Sequence, residues 1–139
     1  MIKFNLKSTF LATVAVLSGL TMLGQGVCTQ FSYYYADITY PNGGEQTDLY
    51  TVQLDGEDAI LSPIGSIDVG VHIAYNTGDQ LLYAVNDNTG EISIVDPITG
   101  DVISTTDVNL NVGKVTTAAF NSENILLIGS ENGNIYQVD

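Results

Sequence analysis

Three observations predict an all-β chain assembled from a recurring four-stranded antiparallel unit. After residue 30 the sequence breaks into runs of four to seven residues rich in β-branched and aromatic side chains, such as Asp48-Leu-Tyr-Thr-Val-Gln-Leu54, Leu81-Leu-Tyr-Ala-Val85, Glu91-Ile-Ser-Ile-Val-Asp96 and Asn134-Ile-Tyr-Gln-Val-Asp139. Gly, Asn and Asp separate the runs, and no stretch there sustains a helical period. The chain also resembles itself at a nearly fixed spacing of 43 to 45 residues.

The first element is not a strand. Residues 1–26 place Lys3 and Lys7 ahead of a mostly apolar, uncharged stretch over 10–23, the layout of a secretory signal-peptide helix. Gly24 and Gly26 supply small residues at the −3 and −1 positions of a cleavage site before Val27. A permanent anchor is the alternative, but the stretch is shorter than the roughly 20 residues of a spanning helix. Cys28 raises lipidation as a third reading. The residue before it is Val27 where a lipoprotein signal wants a small one, so the sequence favours a secreted, periplasmic or cell-surface product without the lipid. A lone Cys forms no disulfide within one chain, which leaves packing to hold the mature part, 27–139.

The recurring unit follows. Ala74-Tyr-Asn76 matches Ala119-Phe-Asn121 at an offset of 45, and Thr89-Gly-Glu-Ile92 with Val95-Asp96 matches Asn132-Gly-Asn-Ile135 with Val138-Asp139 at 43. The two-residue difference is placed in the turn after Asn76, where loop length costs little. Leu49 and Val52 match Ile92 and Val95, again at 43. In the best-preserved copy, strands are expected at 71–75, 81–85, 91–96 and 101–107, with Gly78, Gly90 and Gly100 supplying positive φ in the connecting turns. Four antiparallel strands in about 43 residues is the anatomy of one β-propeller blade.

Tyr83-Ala-Val-Asn86 followed by Gly90-Glu-Ile-Ser-Ile-Val-Asp96, then Thr99-Gly100 and an apolar strand, resembles the YVTN-type β-propeller repeat of bacterial secreted and surface proteins. Asp48-Leu-Tyr-Thr-Val52 and Ile73-Ala-Tyr-Asn76 are similar to related extracellular propeller repeats of unknown function. The resemblance runs from about Asp48 to Asp139. It implies an exported propeller and carries over no catalytic residue, because its motif consists of blade-packing positions.

Blades are expected at 31–68, lacking its first strand, at 69–107, complete, and at 115–139, ending before its fourth strand. About two and a half blades do not close a ring of roughly 4 to 8. An open arc leaves apolar faces wet. The expectation is therefore an N-terminal fragment of a longer propeller, with assembly of further copies of the chain as the competing reading.

Composition restricts the chemistry. The chain is 45% hydrophobic and 14% charged, with no Trp, one His, one Cys and a net charge of −13. Removal of the signal segment would leave Lys114 alone against sixteen acids. Such a surface repels phosphate backbones and anionic headgroups, which excludes nucleic acid and, for the mature form, a membrane surface as partners. His72 falls on an expected innermost strand facing a propeller's central channel, with Thr117 as its counterpart, so a structural or solvent-facing role is favoured over acid–base or ligand chemistry. Asp55, Glu57 and Asp58, or Asp87 with Glu91, offer carboxylate pairs. The loop Asn86-Asp-Asn-Thr-Gly-Glu91 is rich enough in oxygen for calcium, but its residues are also those of a tight hairpin. Gly43-Gly44 has no helix after it and so forms no phosphate cradle. Tyr33, Tyr34, Tyr35 and Tyr40 suit packing against a neighbouring blade better than stacking on a sugar or protein ligand. The sequence thus assigns no catalytic, metal or cofactor residue and no cofactor. It predicts a non-catalytic binding, adhesion or scaffold module for a protein or carbohydrate ligand. The alternative is the N-terminal part of a propeller enzyme, such as a calcium-dependent hydrolase, with its active site in blades outside this chain.

Overall fold

The computed structural model describes residues 33–108 and 113–138. The expected signal helix over 1–26, the cleavage site before Val27 and Cys28 lie outside the described residues. Within them the chain is all-β, as the strand-length runs require. Three antiparallel meanders follow one another along the sequence. The first sheet has the order β1 (Tyr33–Thr39), β2 (Gln46–Asp55), β3 (Asp58–Ile67). The middle sheet is β4 (Val71–Asn76), β5 (Leu81–Asn86), β6 (Ile92–Val95) and β7 (Val102–Thr106). The third is β8 (Val115–Phe120), β9 (Leu126–Ser130) and β10 (Ile135–Val138). A single turn of 3-10 helix, Pro41–Gly43, joins β1 to β2.

Asn and Asp side chains close the hairpins. Asn86 Oδ1 accepts the N–H groups of Asn88 and Thr89, and its carbonyl accepts Gly90 N–H at 2.9 Å. Asp96 does the same for Ile98, Thr99 and Gly100. Each turn ends in the left-handed region, at φ 75° for both Gly90 and Gly100, where the missing Cβ removes the usual penalty. The turn after Asn76 follows the same plan with one correction to the sequence reading. Gly78 is not the left-handed residue; the fifth position of the turn is Gln80, and it takes φ 63°. Gly78 instead gives its N–H to Asn76 Oδ1 at 2.8 Å and lies where an added Cβ would be 3.0 Å from the Asn124 side chain.

Strand pairing also relocates the two-residue offset. Tyr75 pairs with Leu82 and Phe120 with Leu126, so the offset has fallen from 45 to 44 by β9. Leu82 pairs with Val95 and Leu126 with Val138, so it is 43 at β10. The loss is therefore one residue in each of two turns rather than both after Asn76. Asn121 to Asn124 closes with a four-residue turn where Asn76 to Gln80 uses five, and Ser130 to Gly133 is likewise shorter than Asn86 to Gly90.

The sheets pack face to face through two separate cores. Leu82, Ala84, Val71 and Val95 of the middle sheet meet Leu49 and Ile67 of the first. On its other face Ala74, Val85 and Ile92 meet Val115, Leu126 and Ile128 of the third. Strand alternation turns consecutive residues to opposite faces, so β5 must be apolar throughout to serve both cores, and it reads Leu81-Leu-Tyr-Ala-Val85. Rings complete the contacts, Tyr34 on Tyr75 at 5.0 Å and Tyr83 edge-on to Phe120 at 4.8 Å. Each fully buried Leu or Val contributes about 1.5–3 kcal/mol. Exposure rises toward the last strand of the middle sheet, where all five residues of β7 are exposed.

Candidate functional site

β1, β4 and β8 each stand at one edge of their sheet, and a cleft of about 310 Å³ opens between them. Tyr34, Tyr35, Ala36 and Ile38 line it from β1, Val71, His72 and Ile73 from β4, and Thr117 and Ala118 from β8. The walls mix apolar side chains with the polar groups of Tyr34, Tyr35, His72 and Thr117. β8 reaches the cleft through an irregularity. Its register against β9 shifts between Val115 and Thr117, and this bulge turns Thr117 into the same cleft as its matched residue His72.

His72 is half-buried, with Nε2 3.1 Å from the Val115 carbonyl oxygen. A carbonyl only accepts, so Nε2 carries the proton in this pair and the imidazole ties β4 to β8. The structural role expected for His72 has a definite partner in that bond, while the ring also borders the cleft. Among the described residues, no second titratable side chain lines the cleft except the phenols of Tyr34 and Tyr35.

The carboxylates gather elsewhere. Asp87, at the start of the β5–β6 loop, is buried, its side chain 3% exposed. Asn88 Nδ2 donates to Asp87 Oδ1 at 2.6 Å and to Glu45 Oε2 at 3.1 Å, and Lys114 Nζ lies 3.6 Å from Asp87 Oδ2. Lys114 N–H donates to Glu131 Oε1 at 3.3 Å, and Glu131 N–H returns to the Lys114 carbonyl at 2.9 Å. Glu45, Asp87 and Glu131 all come from the loops after β1, β5 and β9, so one polar network spans the three sheets. Gly70 makes room for it, since an added Cβ there would sit 2.9 Å from Glu45 Oε2 and 3.1 Å from the Asp87 carboxyl. Sequence reasoning paired Asp87 with Glu91 and missed both Glu45 and Glu131. Glu131 lies 44 positions after Asp87, within the 43-to-45 spacing, whereas Glu45 lies 42 before it, outside that spacing.

The remaining candidates are dispersed. Asp55, Glu57 and Asp58 occupy the exposed β2–β3 turn. In the 86–91 loop the side-chain oxygens are engaged locally: Asn86 Oδ1 as described, and Thr89 Oγ1 by Glu91 N–H at 3.2 Å. Among the described residues no group of three His, Cys, Asp or Glu is placed to hold a metal ion. Gly43 and Gly44 form the end of the 3-10 turn. The tyrosines separate by strand alternation: Tyr34 enters the core contact with Tyr75, while Tyr33 and Tyr35 point the other way and are 52% and 44% exposed. Tyr35 packs 6.0 Å from Tyr50, and Tyr40 is exposed in the loop.

Hydrogen bonding holds the Tyr83 phenol above its usual range, chiefly through the 2.7 Å bond to Asp79 Oδ2, with burial adding to the effect. Tyr75 is raised by burial first and by the nearby Tyr34 second. Both phenols remain neutral at physiological pH and serve packing. Comparison with family models, curated proteins and solved structures finds no match to the chain.

Proposed function

We propose that the chain is an exported, non-catalytic β-propeller module whose three sheets are successive blades. Its role would be binding, adhesion or scaffolding at the cell surface, with the β1–β4–β8 cleft as the contact site for a protein or carbohydrate ligand. The observation that carries this reading is the middle sheet, buried on both faces by two sheets of the same meander order. Blade stacking produces that arrangement, and the outer faces of the first and third sheets then await missing blades of a longer chain or further copies. The acidic composition argues against nucleic acid as the ligand.

Two measurements test the proposal. Expressed in a bacterial host with a C-terminal tag, the chain should leave the cytoplasm with its N-terminus cut before Val27, and an intact N-terminus in the cytoplasm overturns export. Extending the chain with further copies of residues 69–107 should raise the denaturation midpoint with each copy, because each covers an apolar face. An unchanged midpoint overturns the blade reading.

A further inference from the structure

The middle and third sheets each carry a strand that the first sheet lacks among the described residues. β4 pairs with β5 and β8 pairs with β9, while β1, the strand matched to β5 and β9 by its pairing with the next strand, has among the described residues β2 on one side and no strand on the other. The cleft lies along that free edge, bounded by four residues of β1 and by Val71 to Ile73 of β4. An edge strand presents N–H and C=O groups at alternate residues, and such groups pair readily with an added extended segment.

We propose that the free edge of β1 is an acceptor for one extended strand from a separate polypeptide, which adds antiparallel to β1 and fills the cleft. This step rests on the blade reading but not on export. The two matched strands define what the occupant looks like. β4 reads His72-Ile-Ala-Tyr75 and β8 reads Thr117-Ala-Ala-Phe120, a polar residue, an apolar one, Ala, then an aromatic. In β4 the Ala faces the next sheet's core and the apolar and aromatic residues face the preceding one. The same alternation in the cleft would put a small side chain against Ile73 and Val71, where β4 closely approaches β1. The occupant is also uncharged or basic, since the acceptor chain carries −13.

A fluorescently labelled peptide of sequence Val-Gly-Val-His-Ile-Ala-Tyr-Asn, copied from residues 69–76, is titrated with the full chain and followed by anisotropy and by amide exchange. The expected result is saturable one-to-one binding with slowed exchange at the β1 amides of Tyr34 to Ile38. N-methylation of alternate peptide nitrogens on the pairing edge should weaken binding about tenfold or more, as should Ala74→Glu within the peptide. N-methylation leaves every side chain in place, so this comparison separates strand pairing from apolar adhesion. Equal binding by the methylated peptide, or protection of β10 rather than β1, overturns the proposal. So does self-association of the chain alone with protection at β1, which would assign the edge to a second copy. A peptide that fails to bind while added copies of 69–107 still raise the denaturation midpoint refutes the acceptor edge and leaves the blade reading intact.

Discussion

The middle and third sheets share several residues at matched positions and differ in what covers them. Ile92 on β6 and Ile135 on β10 are the same residue at the same place in the hairpin, yet Ile92 is 6% exposed and Ile135 is 73% exposed. The first sheet shows the converse on its opposite face. Leu82, paired with Val95, is 1% exposed, whereas Tyr33, in the matched pair with Val52, is 52% exposed. Apolar identity at these positions therefore expresses the local pattern, and burial depends on a neighbour that, among the described residues, the middle sheet has twice and each flanking sheet once.

The strongest way to break this comparison is a matched truncation. Ile92→Ala should cost about 2–5 kcal/mol in chemical denaturation, and Ile135→Ala less than about 0.5 kcal/mol, because only the first leaves a cavity. Equal losses would mean that the face of β10 is covered in solution. The next effect lies at the contact between the middle and first sheets. Gly100 combines φ 75° with backbone so close that a Cβ would collide with the Ile64 carbonyl oxygen and Gly65. Gly100→Ala should destabilise by about 2 kcal/mol, whereas Gly133→Ala, with a similar φ of 81° and open space around it, should lose only the conformational part, about 1 kcal/mol. Thermal melts of the two variants decide the difference.

Thr47 sharpens the comparison from the first sheet's side. It is fully buried, donating from Oγ1 to the Val69 carbonyl at 2.8 Å and accepting Val71 N–H at 3.0 Å. Thr47→Val keeps the shape and strands both groups, for an expected cost of about 1–2 kcal/mol. Amide exchange at Val71 should accelerate in that variant. Alkaline pH probes the middle sheet through Tyr83, whose raised pKa marks a proton held more tightly in the folded state. Its contribution is complete below the unfolded phenol value of 10 and fades as pH rises through the folded one. Stability of Tyr83→Phe should accordingly decline less steeply above that range. The smallest effect has the opposite sign. Gln80→Gly relieves a left-handed non-glycine residue and should stabilise by about 0.5 kcal/mol, after the larger entropy of the unfolded glycine is deducted.

Much of the fold was legible because its signals are local. The expected strand at 81–85 appears as Leu81–Asn86, that at 71–75 as Val71–Asn76, and the outer one at 101–107 as the shorter Val102–Thr106. Turn chemistry fixed these hairpins, since the Asn76, Asn86, Asp96, Asn121 and Asn132 side chains each capture the N–H group two residues on. The misplacement of positive φ at Gly78 arose from reading glycine as the default left-handed residue. In the structure the turn length selects the residue, and Gln80 occupies the selected position. The cleft was not legible: the match of His72 with Thr117 spoke only for an ordinary strand position, and their shared wall needs β4 and β8 brought side by side. The network of Glu45, Asp87, Lys114 and Glu131 was not, because each member looked like an ordinary loop charge.

By itself the sequence determined an all-β chain, the position of its hairpins and the apolar alternation of each strand. These follow from backbone preferences and hydrogen bonds that close within a few residues. Only the tertiary structure decided which of the matched apolar faces are covered, that β8 bulges to turn Thr117 beside His72, and that three loop carboxylates join one polar network through Asn88 and Lys114. Burial and electrostatic pairing depend on groups brought together from distant parts of the chain, and a strand carries no local mark of whether its second face will meet another sheet or water.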